Sequence, residues 1–328
     1  LLLADRASVW NSRPENRQLP SHLQWLQLRW LTEKKKWTPP QRQMMAKAGR
    51  YHVLRGVIGT LLAAVIIFWG LTIREQIIEQ QNSSYVVGLV DSLMKAEIAQ
   101  VPAVVSDLNN YGEWADPLLN IELSTADNGS PEKLRLSIAL LAVDKSQLEH
   151  LKEQLPVCTL NQFPVLREAL LPYKDQLIAP LRQIIIDEER DSSARFQAAS
   201  ALAEYAPDDA CWQTAAPFVS QYLTTAISSV DLGHWLTLLQ PVGPSLIESL
   251  TAIHADRSRG AKQREAAALA LSQYLSDQPD KLVDVILLAE EPAEFSPLIS
   301  TLKPHAVAVR ERLLRTVQTP LPSELDKT

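Results

Sequence analysis

RFQAASALAEY (Arg195–Tyr205) and REAAALALSQY (Arg264–Tyr274) stand 69 residues apart and share one frame: Arg195, Ala198, Ala199, Leu202 and Tyr205 fall on Arg264, Ala267, Ala268, Leu271 and Tyr274. The same shift carries Leu166, Leu170, Pro172, Leu177, Ile178, Leu181, Ile184 and Asp187 onto Trp235, Leu239, Pro241, Leu246, Ile247, Leu250, Ile253 and Asp256. A backward shift of 62 sets Leu170, Tyr173, Leu181, Ala201 and Leu202 on Leu108, Tyr111, Leu119, Ala139 and Leu140. A forward shift of 63 sets Leu239, Pro241 and Leu250 on Leu302, Pro304 and Leu313. Apolar positions and punctuating prolines kept in register over four segments are the sequence signature of a repeat architecture.

Each segment has room for four helices. In the second they read as 163–171, 174–187, 192–206 and 209–226, separated by Pro172, the acidic turn Asp187–Asp191 and Pro207-Asp208-Asp209. Pro closes the preceding helix and Asp caps the next, so these junctions suit the residues that occupy them. One helical hairpin per ~33 residues is the period of an α-solenoid. The expectation is a helical-repeat domain over 85–318 followed by a linker at 319–328, with an irregular helical bundle as the rival. Composition agrees with an all-α chain. Among 328 residues 46% are apolar, which excludes wholesale disorder, and only ten are Gly, too few for a many-turned β chain. The chain opens on Leu with no cleavable signal peptide and reads as a piece of a longer protein.

Upstream of the repeats lies GVIGTLLAAVIIFWGLTI, Gly56–Ile73, with no charged residue. Eighteen residues at ~1.5 Å rise cover about 27 Å, close to the ~30 Å hydrocarbon core of a bilayer. Val, Ile, Leu and Phe fill ten positions, which favours insertion by roughly 3–6 kcal/mol. This predicts a single transmembrane helix over 56–73, within a longer helix from 39 to 82. The competing reading is the buried central helix of a soluble bundle, which normally keeps some polar face. The net charge of −6 hides a polarity: residues 1–55 hold eleven Lys/Arg against three acids, a net +8, and residues 74–328 carry −14. Lys36, Arg42, Lys47, Arg50 and Arg55 precede the span and only Arg74 follows it closely, so the positive-inside rule sets the N-terminus in the cytoplasm and the acidic body on the extracytoplasmic side.

The basic segment 1–55 also holds Trp10, Trp25, Trp30 and Trp37. Ser21 caps an expected helix over His22–Thr32 with Leu23, Leu26 and Trp30 on one face, and Thr38-Pro39 starts the helix that enters the membrane. Two readings stand side by side: an amphipathic segment resting on anionic lipid, or a stop-transfer flank that packs against an upstream domain. Nucleic acid is not an expected partner, because the basic residues crowd next to a membrane and the acidic body repels phosphate.

The Arg-x-x-Ala-Ala-x-x-Leu pattern at Arg195/Ala198/Ala199/Leu202 and Arg264/Ala267/Ala268/Leu271 resembles HEAT or armadillo-type repeats over roughly 90–317. The run WNSRPENRQLP from Trp10, WLQLRWLTEKKKWTPPQRQMM and RYHVLRG is similar to the juxtamembrane segment of large bacterial multidomain signalling proteins. That resemblance implies a Ser/Thr kinase or STAND-type NTPase upstream and a formylglycine-generating/sulfatase-modifying-type domain downstream. The family's catalytic motifs are absent from this stretch, so no residue role carries over.

A search for chemistry gives no catalytic, cofactor-binding or metal residue. His22, His52, His150, His234, His254 and His305 form no H-E-x-x-H pair and lie outside metal-ligand spacing of Cys158 or Cys211; His234 and His305 read as helix-start positions. The two Cys sit in different hairpins and are expected to remain unpaired. The acidic groups at Asp187-Glu188-Glu189, Asp208-Asp209 and Glu290-Glu291 lack EF-hand spacing and fall where helix starts want carboxylates. The expected function is therefore a membrane-anchored helical-repeat scaffold or protein-interaction module of a larger signalling protein, with no catalysis in this fragment and no cofactor. A passive connector between a kinase or NTPase and a downstream domain is the alternative. The expected partners are a protein or a neighbouring domain of the same chain, and the lipid bilayer.

Overall fold

The computed structural model describes residues 2–307 together with 309 and 310. The correspondence at Leu313 and the expected linker at 319–328 lie outside these residues. Among the described residues the chain is helical, with no strand. It divides into two units, residues up to Ser84 and residues from Tyr85 onward.

The first unit opens with α1 (Leu2–Ser12) and α2 (His22–Leu31), followed by α3 (Pro39–Lys95). Ser21 starts α2 through a reciprocal cap, its hydroxyl accepting from the Gln24 amide while the Gln24 side chain accepts from the Ser21 amide. A small core of Leu3, Ala7, Trp10, Leu19, Leu28, Met44, Met45 and Ala48 binds the three helices, with Trp25, Trp37 and Tyr51 packed at its edge. The row Leu23, Leu26 and Trp30 on α2 takes no part in this core. Leu23 is 73% exposed and Trp30 85%, while Leu28 is buried. Trp25 sets this rotation: its indole N–H donates to the Met45 carbonyl (3.3 Å), and its ring lies 3.3 Å from where a Cβ on Gly49 would stand.

α3 is long and apolar enough to cross a membrane, and none of its apolar window is buried inside the protein. Ile66, Ile67, Phe68 and Trp69, four successive residues about 100° apart around the helix, are all more than 60% exposed. The helix was expected to end at 82. It continues through Asn82-Ser83-Ser84 to Lys95 because no Pro or Gly interrupts that polar stretch, and because Val86, Val90 and Leu93 beyond it find a core to enter.

The second unit takes up those last turns of α3 and continues as α4 (Val101–Asn109), α5 (Gly112–Thr125), α6 (Pro131–Leu140), α7 (Ser146–Gln154), α8 (Phe163–Leu170) and α9 (Lys174–Ile186). Then come α10 (Ser192–Tyr205), α11 (Trp212–Thr225), α12 (Ser229–Leu238), α13 (Gly243–Ala255), α14 (Ala261–Tyr274), α15 (Pro279–Ile286) and α16 (Pro292–Leu302). The extensive contacts join helices close in sequence: α5 with α6, α9 with α10, α11 with α13, α13 with α14, and α14 with α16. α9 and α13 begin and end 69 residues apart, and so do α10 and α14. α10 and α14 run through the interior. Ala198, Ala199, Ala201 and Leu202 are fully buried, as are Ala267, Ala268, Ala270 and Leu271. Small side chains let neighbouring axes come to the short end of the ~8–10 Å range, and each buried Leu contributes about 1.5–3 kcal/mol.

Junction chemistry is local. Asp191 caps α10 by accepting from the Ser193 and Ala194 amides (2.9 and 3.1 Å). Asp187 and Asp256 each close the turn after their helix, accepting from the amides of Glu189 and Ser258 and pairing with Arg190 and Arg259. α11, expected from 209, starts at Trp212 because the Asp209 carboxylate accepts from the Cys211 amide (2.9 Å) and holds those residues in a turn. His234 was read as a helix start. It lies inside α12, whose cap is Ser228, the hydroxyl accepting from the Asp231 amide at 3.2 Å.

Candidate functional site: an acidic groove between two helices

α11 and α13 pack side by side, and the seam between them is polar. The Ser220 and Ser249 hydroxyls lie 2.6 Å apart, and Ser249 also reaches the Leu246 carbonyl (3.1 Å). Small residues on the facing turns, Ala216 and Ala252 among them, leave an open groove of about 930 Å³ above this seam. That volume falls in the range of natural ligand clefts. The loop Pro207–Ala210 forms one wall. It is anchored by Asp209, which pairs with the Arg182 guanidinium, and by the Trp212 indole, whose N–H donates to the Ala206 carbonyl at 3.1 Å. Arg259 closes the other side, bound to Asp256 (3.2 Å) and to the Gln221 side chain.

The groove is anionic. Asp208, Asp209, Glu248 and Asp256 line it against the single cation Arg259. Burial pushes the Asp209 carboxyl up, but the Arg182 guanidinium and the Cys211 amide outweigh it and hold it below the usual carboxylate range. Asp256 is held low by the hydroxyl and amide of Ser258 and then by Arg259. Asp208 and Glu248 have no ion-pair partner among the described residues. Two fixed carboxylates neutralised in place and two free ones make a site complementary to added positive charge.

The residues weighed for chemistry are scattered. His22 and His52 meet edge to face at 5.4 Å between ring centroids, and His52 contacts the Pro20 carbonyl. His254 is buried, its Nε2 3.2 Å from the Val285 carbonyl, and His305 lies in the short turn Lys303–His305. Cys158 and Cys211 are free thiols. Burial pushes Cys158 up to about 12; burial and then the Asp209 carboxylate do the same to Cys211. Among the described residues no three His, Cys, Asp or Glu side chains are gathered so as to hold a metal ion. Glu290 instead binds Arg257 (2.7 Å) and Arg264 (3.1 Å).

Reading the sequence missed the groove. The available signal was a row of small and polar residues at helical spacing, Gln213-Pro217-Gln221 on one helix and Ser245-Ser249-Ala252-Asp256 on the other. Neither row carries a motif, and only the packing of α11 on α13 turns them toward each other. The chain matches no protein-family model, no curated protein and no solved structure.

Proposed function

We propose that this chain is a single-span, membrane-anchored helical-repeat module whose acidic groove receives a basic segment of a protein partner. The groove between α11 and α13 carries the reading: of its four carboxylates Asp209 and Asp256 are paired with Arg182 and Arg259, and Asp208 and Glu248 remain unpaired in one open cleft. Coulomb attraction at ~4 Å is worth about 4 kcal/mol at the effective dielectric of a protein surface, so two unpaired carboxylates favour Lys or Arg and select against acidic segments. The module performs no catalysis in this stretch and needs no cofactor.

Three observations support a solenoid arrangement of the body. Helix boundaries recur at 69 residues, the extensive contacts stay between helices near in sequence, and equivalent tyrosines make equivalent hydrogen bonds, Tyr205 to the Arg167 carbonyl and Tyr274 to the Leu236 carbonyl. An unburied apolar stretch on α3 supports a span over Gly56–Ile73. The charge step from +8 to −14 across it supports a cytoplasmic N-terminus and an extracytoplasmic body. The signalling context, with catalytic domains on either side, rests on the juxtamembrane resemblance. A passive connector is the second reading; the groove favours the first, because a spacer has no use for an open cleft with unpaired charge.

The test is binding of a fluorescent Lys/Arg-rich helical peptide to the full chain in lipid nanodiscs. Saturable, salt-sensitive binding is expected, abolished by Asp208→Lys with Glu248→Lys and retained in Glu188→Lys with Glu189→Lys, which lie outside the groove. Equal loss in both variants, or no saturable binding, refutes the groove reading.

A further inference from the structure

The first unit holds a second concave site, opposite in sign. Trp25 and Trp37 wall a pocket of about 500 Å³ that Arg29, Lys34, Lys35 and Arg42 line together. Both indoles are fixed: Trp25 donates to the Met45 carbonyl (3.3 Å), and Trp37 donates to the Thr32 hydroxyl (2.9 Å). Arg29 lies over the Trp25 ring, its guanidinium carbon 5.2 Å from the centroid, and Arg42 reaches back to the Lys35 carbonyl at 3.5 Å. Among the described residues none of the four cations has an ion-pair partner. Glu33, the acid within the same turn, is taken by Lys36 at 3.0 Å, and neither of that pair lines the pocket. Arg42 sits in the first turn of α3, where the helix dipole adds positive potential.

We propose that this pocket binds a phosphate monoester. Four uncompensated cations converging on one cleft ask for more than the single charge of a carboxylate, and a monoester brings about −1.5 to −2 charges with three acceptor oxygens. Two guanidiniums offer planar forks to those oxygens, and the two ammonium groups serve as mobile point charges. The fixed indole walls hold the cations apart without neutralising them. The group comes from one of two sources. Arg42 precedes Gly56 by fourteen positions, which is ~21 Å along the helix axis. With Gly56–Ile73 in a bilayer, that exceeds the roughly 5–8 Å depth of one headgroup layer. The ligand is then a soluble phosphate ester or a lipid headgroup carrying its phosphate at its outer end. The inference stands on the first unit and is independent of the acidic groove.

The experiment uses the full chain in phosphatidylcholine nanodiscs, titrated calorimetrically with glycerol 3-phosphate and with soluble inositol trisphosphate. In parallel, the chain is reconstituted with a few per cent of a phosphoinositide bearing an outer monoester, or with phosphatidylglycerol, a diester of matched charge. Saturable binding of the soluble probes that neither lipid displaces assigns a soluble ligand. Displacement of those probes by the phosphoinositide alone assigns the headgroup, and either result supports the site. Lys35→Gln with Arg42→Gln is expected to weaken binding about tenfold or more, while Lys36→Gln changes it less than about twofold. Equal effects of the two variants, equal displacement by phosphatidylglycerol, or no saturable binding of any phosphate probe overturns the proposal.

Discussion

Tyr205 donates its hydroxyl to the main-chain carbonyl of Arg167 across 2.7 Å. The acceptor lies in the last turn of α8, where a carbonyl has no partner within its own helix. Tyr274 does the same for the Leu236 carbonyl near the end of α12, at 3.1 Å. Each tyrosine thus closes one helix end with a side chain supplied by another helix 38 residues on. Tyr205→Phe and Tyr274→Phe each leave a buried carbonyl unpaired and should lower stability by about 1–2 kcal/mol. Urea denaturation of each variant in detergent measures this; midpoints unchanged from the parent would contradict it.

Gly243 opens α13 where the Tyr274 ring stands, so a Cβ there would lie 2.8 Å from Cδ1. Gly243→Ala should therefore cost about 1–3 kcal/mol through overpacking. Gly233 is inside α12 with nothing within 4 Å of an added Cβ, and Gly233→Ala should stabilise by about 0.5–1 kcal/mol. Opposite shifts in melting temperature for two chemically identical substitutions are the expected outcome.

Arg264 and Glu294 form a buried pair, Nε to Oε1 at 3.0 Å, and the Glu294 carboxylate also accepts from the Glu290 amide. Arg264→Met leaves Glu294, fully buried, without its cation, at a cost of about 3–5 kcal/mol. Adding Glu294→Leu should recover most of that loss, because the desolvation cost of the charge disappears with it. Chemical denaturation of the single and double variants gives the comparison.

Cys158 and the two buried tyrosines set the alkaline limit. Burial pushes the Cys158 thiol up to about 12 and also raises Tyr205 and Tyr274 above their ordinary range. A group kept protonated in the fold and free to ionise in the unfolded chain leaves stability intact below its unfolded value. Stability is then lost as pH rises, from ~8.5 for the thiol and ~10 for the phenols. Stability should be flat near neutrality and fall between about pH 9 and 11, less steeply in Cys158→Ala. At pH 8, iodoacetamide should label Cys158 only after denaturation; prompt labelling of the native chain would contradict its burial.

The all-helical class and the long apolar helix were legible because both depend on local composition and period. The junctions at Pro172 and Asp191 were legible for the same reason: a cap or a breaker acts within one turn. What depends on distant partners was not. The helix bounds at 174 and 243 keep the 69-residue frame, yet Arg195 and Arg264, equivalent in that frame, do different things. Arg195 donates to the Ile185 carbonyl and lies 4.2 Å from the Phe218 ring centroid, whereas Arg264 binds Glu294. The face α2 turns to its own unit was not legible, because the Trp25 hydrogen bond to the Met45 carbonyl depends on a residue 20 positions away. The groove escaped because its walls come from a loop and two helices whose rows are unremarkable until packed.

The claim on which anchorage rests is that Gly56–Ile73 lies in lipid. In a Cys158→Ala/Cys211→Ala background, single cysteines at Ala46, Val65 and Gln81 can be probed with a membrane-impermeant maleimide in sealed vesicles of defined sidedness. The account predicts that Val65→Cys stays unlabelled until detergent is added, that Ala46→Cys reacts only from the cytoplasmic face, and that Gln81→Cys reacts only from the opposite one. Labelling of Val65→Cys in intact vesicles, or of Ala46→Cys and Gln81→Cys from the same face, would contradict it.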